Sequence, residues 1–418
     1  MTTTSTSTGT SEPVHEWLRS AAQPILGTDS TDTGPDLRKL TDRLATATVV
    51  GLGESTRFSR QTYGVRDRIF RALVTEHGFR TLAIQDNARS GARLDAYVRT
   101  GGDPLAALAG AWRPWRTGDA VATLEWIRAH NLEHPDDQVG IIGVQPPAAE
   151  PADYDDVLTY TRRWAPTRLA ELESKLTPIR TAHRIDEHVQ HHQGIHPGRP
   201  FAEDARDALA LLKSLPRSAD PGATAEFATA LGLLRSIVDF HEHSVAGRGG
   251  FGGGEPAPAQ TLIDHYEHTG ARIVYWDGIA HTAATDPAVG GTAAARMRTE
   301  GSHLRARFGP AYRSVGIGFH HGDLGTTHAP VPHPELADAT FGTVDLPAWF
   351  VVFGDEIPAE VRAWTSAPAQ LRVISGIYDP ARDEEARFRV ESLRAAFDAL
   401  IHIRETTPVH WLPETDAG

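Results

Sequence analysis

The sequence predicts an α/β protein: a mostly parallel sheet covered by helices, with a helical insertion lobe set against it. Three observations carry that expectation. Short apolar runs such as Val49–Leu52 and Ile273–Trp276 end abruptly in polar turns. Between the early runs lie segments with apolar residues at helical spacing. From Asp155 to His243 the chain is almost entirely helix-patterned, without a strand-like run.

Composition sets the outer limits. The chain has 418 residues, 40% of them hydrophobic and 23% charged, which suits an ordinary soluble globular protein with one large or two smaller cores. Its formal charge of −13 argues against nucleic-acid and anionic-membrane partners, so a small-molecule substrate is the expected partner. There is no cysteine, which excludes disulfides, thiolate catalysis and cysteine-ligated metals. Residues 1–12, which begin Met1-Thr2-Thr3-Thr4-Ser5, lack the basic start and apolar core of a signal peptide and read as a disordered tail. No run approaches a membrane span, and a cytoplasmic location is the expectation. The oligomeric state is not legible.

The elements follow in order. Glu16 to Ile25 and Pro35 to Ala45 look helical. Val49 to Leu52 is a buried strand. Tyr63 to His77 carries Val65, Ile69, Phe70, Leu73 and Val74 at helical spacing, and Gly78 stands where helices end. Phe79 to Ile84 is the next strand, ending at Gln85-Asp86-Asn87. Leu124 to His130 is a helix and Val139 to Val144 a third strand, ending at Gln145. Residues 13–150 thus form the first part of the α/β core. Residues 151–246 form the helical lobe, with Ala202 to Leu215 and Ala223 to His241 as its clearest helices. The glycine-rich connector Gly247 to Gly254 opens the second core part, 247–418. There the sheet resumes with Ile273 to Trp276 and Ser314 to Phe319. Val390 to Ala399 reads as a helix and Leu400 to Ile403 as a final strand.

Strand ends place the chemistry. Glu54 follows the first strand, Gln85 and Asp86 the second, Gln145 the third, Asp277 and His281 the fourth, and His320 and His321 the fifth. In a parallel sheet these ends share one edge, where open α/β proteins build their crevices. Strand ends are also polar for the plain reason that loops are solvated.

Several stretches resemble the erythromycin esterase family. They include Val49-Val50-Gly51-Leu52-Gly53-Glu54-Ser55-Thr56, the helix segment Arg66-Asp67-Arg68-Ile69-Phe70-Arg71, Trp115-Arg116 and Leu124-Glu125-Trp126-Ile127-Arg128. Ala271 to His281, His303 to Gly309 and Ala396 to Ile401 continue the resemblance in the same order. It implies a two-part α/β fold with helical insertions and a deep cleft. The family's esterases open macrolide lactones, and many relatives have unknown substrates. The implied chemistry is a water activated by a histidine, assisted by acids, a second pair of histidines and an arginine. Glu54, Arg66 and His281 match that pattern. Elsewhere the chain departs from it. Arg57 stands where the water-activating histidine is expected, Gln85 replaces a glutamate, Gly278 a histidine, Ile279 an asparagine, and Gln145 an acid.

Those departures change what the crevice can do. Arginine stays charged at any working pH, so it can bind an anion or stabilise an oxyanion but cannot act as a base. Gln85 can hydrogen-bond but cannot take a proton. Glu54 and His281 remain as acid and base, enough for elimination, isomerisation or cyclisation, none of which needs a positioned water. Arg57, Arg66, Gln85, Gln145, Asp277, His320 and His321 are the expected substrate-binding residues around them. A lactone hydrolase with His320 or His321 as relocated base, and an inactive small-molecule binder, are the alternatives.

Other motifs carry less. His188, His191, His192 and His196, with Asp186 and Glu187, fit no standard metal motif, so a solvated loop or a lid hinged at Gly247–Gly254 is expected, and no metal. No cofactor signature is present: Gly249–Gly254 follows no strand and precedes no Lys-Ser/Thr. No serine sits in a nucleophile elbow. Trp112, Trp115, Trp126 and Trp276 read as core or wall.

Overall fold

The computed structural model describes residues 12–145, 149–216, 220–244, 246, 257–289, 298–354, 356–376 and 378–413. Among these, twelve strands occur: β1 (Gln23–Pro24), β2 (Val49–Glu54), β3 (Thr81–Asn87), β4 (Gly140–Gln145), β5 (Ile273–Gly278), β6 (Ala288–Val289), β7 (Tyr312–Asp323), β8 (His328–Ala329), β9 (Ala348–Val352), β10 (Ala369–Arg372), β11 (Arg387–Val390) and β12 (Ala399–Thr406). The main sheet runs β1-β9-β12-β7-β2-β5-β3-β4, with β8 paired to β7. From β12 to β4 every pairing is parallel, while β9 and β1 form an antiparallel margin. This is the mostly parallel α/β architecture expected from the sequence.

β2 lies at the centre, and all six of its residues are buried. Val50 and Leu52 point into a core shared with Tyr63, Val65, Ile69 and Phe70 of the helix Arg60–His77. Val49 joins Leu262, Tyr275 and Tyr312 on the opposite face. Gly51 and Gly53 have neighbours that exclude a side chain: a Cβ would overlap the Tyr312 hydroxyl at one and Thr282 Oγ1 at the other. The turn that follows β5 therefore packs directly on β2. Ser59 starts the helix after β2 by accepting the Thr62 amide at 3.1 Å, and Gly78, at φ 67°, ends it.

Between β4 and β5 come helices Pro151–Trp164, Leu169–Arg180, Glu187–His192, Phe201–Ser214, Pro221–Glu242 and Ala257–Thr269. Tyr154, Leu176, Leu212, Phe227 and Leu234 close a separate apolar core among them. Each fully buried side chain of this kind contributes about 1.5–3 kcal/mol, so these helices are held by their own packing.

Three details differ from the sequence expectation. The first helix is Glu12–Ala21, so Glu12 belongs to it and not to the tail; it stops before Pro24, and Gln23 and Pro24 instead pair with Phe350 and Trp349. Val390–Ala399 is not a helix: Val390 ends β11, a single turn Leu393–Ala396 follows, and β12 starts at Ala399 between β7 and β9. Sheet pairing captures the two ends, Val390 and Ala399, and leaves a helical turn only between them. A small sheet, β10-β11-β6, was not foreseen, since its strands are short. The expected tail through Ser11 and the connector Gly247–Gly254 lie outside the described residues. Among those described, no helix is long and apolar enough to cross a membrane.

Candidate active site

Glu54 closes β2 opposite Gly278 of β5 and Ile317 of β7. In phase with Val50 and Leu52, it faces the helix Arg60–His77, where Arg66 Nη1 donates to Glu54 Oε2 at 2.7 Å. Glu54 is 7% exposed and Arg66 1%. The Arg66 Nε and Nη2 have no hydrogen-bond partner among the described residues. Aromatic faces surround them instead: Cζ lies 4.4 Å from the Trp276 ring centre, 4.9 Å from Tyr63 and 5.6 Å from Trp115. Cation–π attraction in this desolvated setting offsets part of the cost of burying the charge. Trp115 stacks on Trp276 and donates to the Gln85 carbonyl at 3.0 Å, so both tryptophans are walls.

Arg57 reaches the same crevice from the turn after β2. Its Nε is 4.0 Å from Glu54 Oε1, beyond hydrogen-bond range, and its Cζ lies 4.3 Å from the Trp112 ring centre. The Trp112 amide is fixed by Asp86 Oδ2 at 2.8 Å. Burial pushes the Asp86 carboxyl up to about 6, against the amides of Trp112 and Asn87 that hold it down.

On β5, Asp277 points to the other face, where it accepts the Tyr275 hydroxyl and the Gly278 amide. Burial raises its pKa more than the nearby His281 charge lowers it. His281 sits on the turn Ile279–Thr282, and its Nδ1 is 3.1 Å from Glu300 Oε2. Nδ1 being engaged, Nε2 is the ring atom left for a substrate. Burial pulls this imidazole down, but the carboxylates of Asp277 and Glu300 outweigh it and raise it to about 9. The side chain keeps 32% of its surface, so solvent screens part of that effect. Burial pushes the Glu300 carboxyl up, yet the His281 charge and hydrogen bond leave it below its ordinary value. A Cβ on Gly278 would stand 3.4 Å from His281 Cδ2 and 3.9 Å from the Glu54 carbonyl, so this glycine lies between the His281 ring and the backbone of Glu54.

Glu300 was not anticipated. The one signal was local: Thr299 and Ser302 form a capping box that opens the helix Glu300–Phe308 and sets the carboxylate at its first residue. Nothing in the spacing announces its contact with His281.

The remaining expected residues lie further off. Gln85 lies within β3, which runs on to Asn87, and Gln145 ends β4; these strands are two and three from β2, so the two backbones are about 10 and 15 Å away. His320 and His321 continue β7 past Ile317, about 10–13 Å along the strand from the level of Glu54. They contact each other, Nδ1 to Nδ1, at 2.9 Å. Burial, helped by the charges of His321, Arg404 and Arg372, pulls His320 down to about 4. Its ring meets that of His402, which is 2% exposed with neither nitrogen hydrogen-bonded within the described residues.

His402 gives a stability prediction. Burial, with His320 and nearby arginines adding, lowers it from 6.5 to about 3. Between those pH values the unfolded chain binds a proton that the folded chain refuses, so stability falls as pH falls from 6.5. Each pH unit costs about 1.4 kcal/mol. His402→Leu is expected to gain on wild type by about 2–3 kcal/mol at pH 4.5 relative to their difference at pH 7. Urea unfolding at both pH values measures it, and a pH-independent difference would contradict it.

In the histidine-rich loop, Glu187 is buried and accepts the Phe201 amide at 2.7 Å and the Ser244 hydroxyl at 3.2 Å, with His191 Nε2 at 3.3 Å. It ties the helix Glu187–His192 to the lobe. Among the described residues no three His, Asp or Glu side chains converge to hold a metal ion.

A mostly parallel sheet with buried ion pairs at the carboxyl ends of its strands and helices inserted between them defines an α/β protein of the kind that builds its sites at that edge. The chain belongs to the erythromycin esterase family, whose model matches residues 74–406. Solved structures share the fold. A Bacillus cereus protein is 21% identical, with 96% of this chain and 98% of that one aligned at a TM-score of 0.64. A succinoglycan biosynthesis protein gives 22%, 96%, 98% and 0.61 in the same terms. A variant of the erythromycin esterase EreC in its open conformation gives 15%, 93%, 98% and 0.58.

Proposed function

We propose that this family member is an enzyme that rearranges or eliminates within a polyketide-like small molecule, using paired acid and base without an activated water. One observation carries the reading. Glu54 Oε1 accepts no hydrogen bond from the described residues, and across Gly278 from the Glu54 backbone stands an imidazole whose pKa the carboxylates of Asp277 and Glu300 raise to about 9 against the pull of burial. Glu54 takes a proton from one substrate atom, and His281 Nε2 delivers one to another. In an elimination the bond to a hydroxyl breaks and that oxygen departs as water. In an isomerisation or cyclisation nothing departs. His281 is then the acid and Glu54 the base, with Glu300 keeping His281 charged and oriented. Asp277 supports that charge from the opposite face. Gln85, Gln145, His320 and His321 belong to the outer rim of the edge in this reading. The substituted position Arg57, which cannot deprotonate water, supports the absence of hydrolysis.

Mass spectrometry tests the reading directly. The enzyme is incubated with a macrolide and a panel of hydroxylated polyketide lactones. A product of unchanged mass, or lighter by one water, is expected, and Glu54→Gln is expected to lose it by about 10²-fold or more. A product heavier by one water would return the protein to the hydrolases.

A second reading is favoured by a specific observation: Glu54 and Glu300 are both already ion-paired, to Arg66 and His281. That arrangement suits a binding protein without turnover. Saturable binding of a panel member with no product over days would select it.

A further inference from the structure

We propose that Arg57, lying over the Trp112 ring, is a carboxylate-binding subsite of this crevice, closed from above by the helix Glu187–His192. The inference rests on the reading that the crevice takes a small molecule, and it assigns that molecule an anionic group. Arg57 presents five N–H donors. Among the described residues none of them makes a hydrogen bond, although the side chain is only 13% exposed. The guanidinium's nearest approach to Glu54 is through Nε at 4.0 Å, so Nη1 and Nη2 lie further from that carboxylate. The exposed part of the side chain leaves the guanidinium within reach of a ligand, and a carboxylate meets its fork with two parallel hydrogen bonds.

The platform is rigid. Trp112 is anchored through its amide to the buried Asp86, so the indole fixes the plane of the guanidinium stacked on it. The cover comes from the lobe. Thr56 bridges Ile374, which sets Gly376 beside the turn bearing Arg57, and a Cβ on Gly376 would touch Val189 Cγ2 at 3.4 Å. His188 is the neighbour of Val189 on that helix; burial lowers its pKa and the Arg57 charge adds to that, while at His281 the same charge is a small influence against the overall rise. Cationic and cationisable groups thus surround one space from β2, β5 and the lobe. Asp186 and Glu187 face His188, Glu54 faces Arg57 only at 4.0 Å, and Asp277 and Glu300 face His281, which leaves the Arg57 fork as the open cationic donor.

Benzoate, benzamide, phenyl phosphate and inorganic phosphate are the probes, with binding to the full chain measured by calorimetry. Benzoate is expected to bind and benzamide not. Arg57→Gln should weaken benzoate about tenfold or more, and Arg57→Lys by less, because it keeps charge but not the fork. Thermal melts of both variants check folding, and raised salt should weaken benzoate binding to wild type as an independent reading of the charge. Equal binding of benzoate and benzamide, or of benzoate by wild type and a folded Arg57→Gln, would overturn the proposal. Tighter binding of either phosphate probe, lost in the same variant, would overturn the carboxylate assignment in favour of a phosphate ester. His281→Ala is expected to retain benzoate. An Arg57-dependent benzoate site in an enzyme without turnover would therefore sink the catalytic reading and leave the subsite standing.

Discussion

His281→Ala is expected to lower kcat by about 10²–10⁴-fold with little change in KM or in the melting curve. The side chain is partly exposed and its turn is fixed by other contacts: Ile279 and Ala283 are in the apolar core, and the carbonyl of Thr282 accepts the Tyr312 hydroxyl at 2.6 Å. Removing the imidazole removes the proton donor and leaves the scaffold. The pH profile separates acid from base. As an acid, His281 is active while protonated, so kcat/KM should be flat near neutrality and fall as pH rises through about 9. As a base it would give a rising limb in the same range. Glu300→Gln keeps an acceptor for the imidazole but removes one carboxylate, so the falling limb should move toward neutrality. A titration of the His281 ring by NMR reads the same shift without a substrate. A limb that stays in place in Glu300→Gln would remove Glu300 from its positioning role.

Arg66→Met is expected to cost about 3–5 kcal/mol of stability, the largest single effect proposed for the crevice. It strips the 2.7 Å partner from a carboxylate that is only 7% exposed, and leaves Arg57 Nε at 4.0 Å as the nearest replacement. It also empties the cage of Trp276, Tyr63 and Trp115. The loss comes from the stranded charge more than from the pair itself. Glu54→Leu combined with Arg66→Met should therefore recover most of it. Denaturant midpoints for the two single variants and the double variant decide the matter. Strict additivity would mean that the two side chains do not act as a unit.

The parallel core was legible because its strands are buried on both faces and so appear as unbroken apolar runs, each stopped by a polar residue at the sheet's edge. Glu54 after Val49–Leu52 and Asp277 after Ile273–Trp276 are of this kind. The margin was less legible. β9 is a short Ala348–Val352 run among turns, and β11 and β12 border a segment whose spacing mimics a helix. At the site, sequence separation hid what chain crossing made. Glu300 touches His281 only because the helix it opens folds back, and Trp112 lies under Arg57 only because Asp86 holds its amide. Contacts between elements of different origin leave no periodicity to read. His320 and His321 were drawn in by the rule that strand ends converge. β7 runs on past Ile317, so their backbones stand about 10–13 Å along the strand from the level of Glu54.

The placement of β2 has a consequence for synthesis. Its two sheet neighbours begin at Ile273 and Tyr312, so a six-residue strand made early in translation finds no partner until the helical lobe has been completed. At about 5–20 residues per second that interval lasts roughly ten seconds or more. β3 and β4 can meet meanwhile, but β3's other edge waits for β5 as well. The nascent chain thus carries three adhesive strand edges, both of β2 and one of β3, through much of its emergence from the ribosome. Yield in a foreign host should depend on chaperone supply and on the pace of elongation across the lobe more than on the stability of the finished molecule.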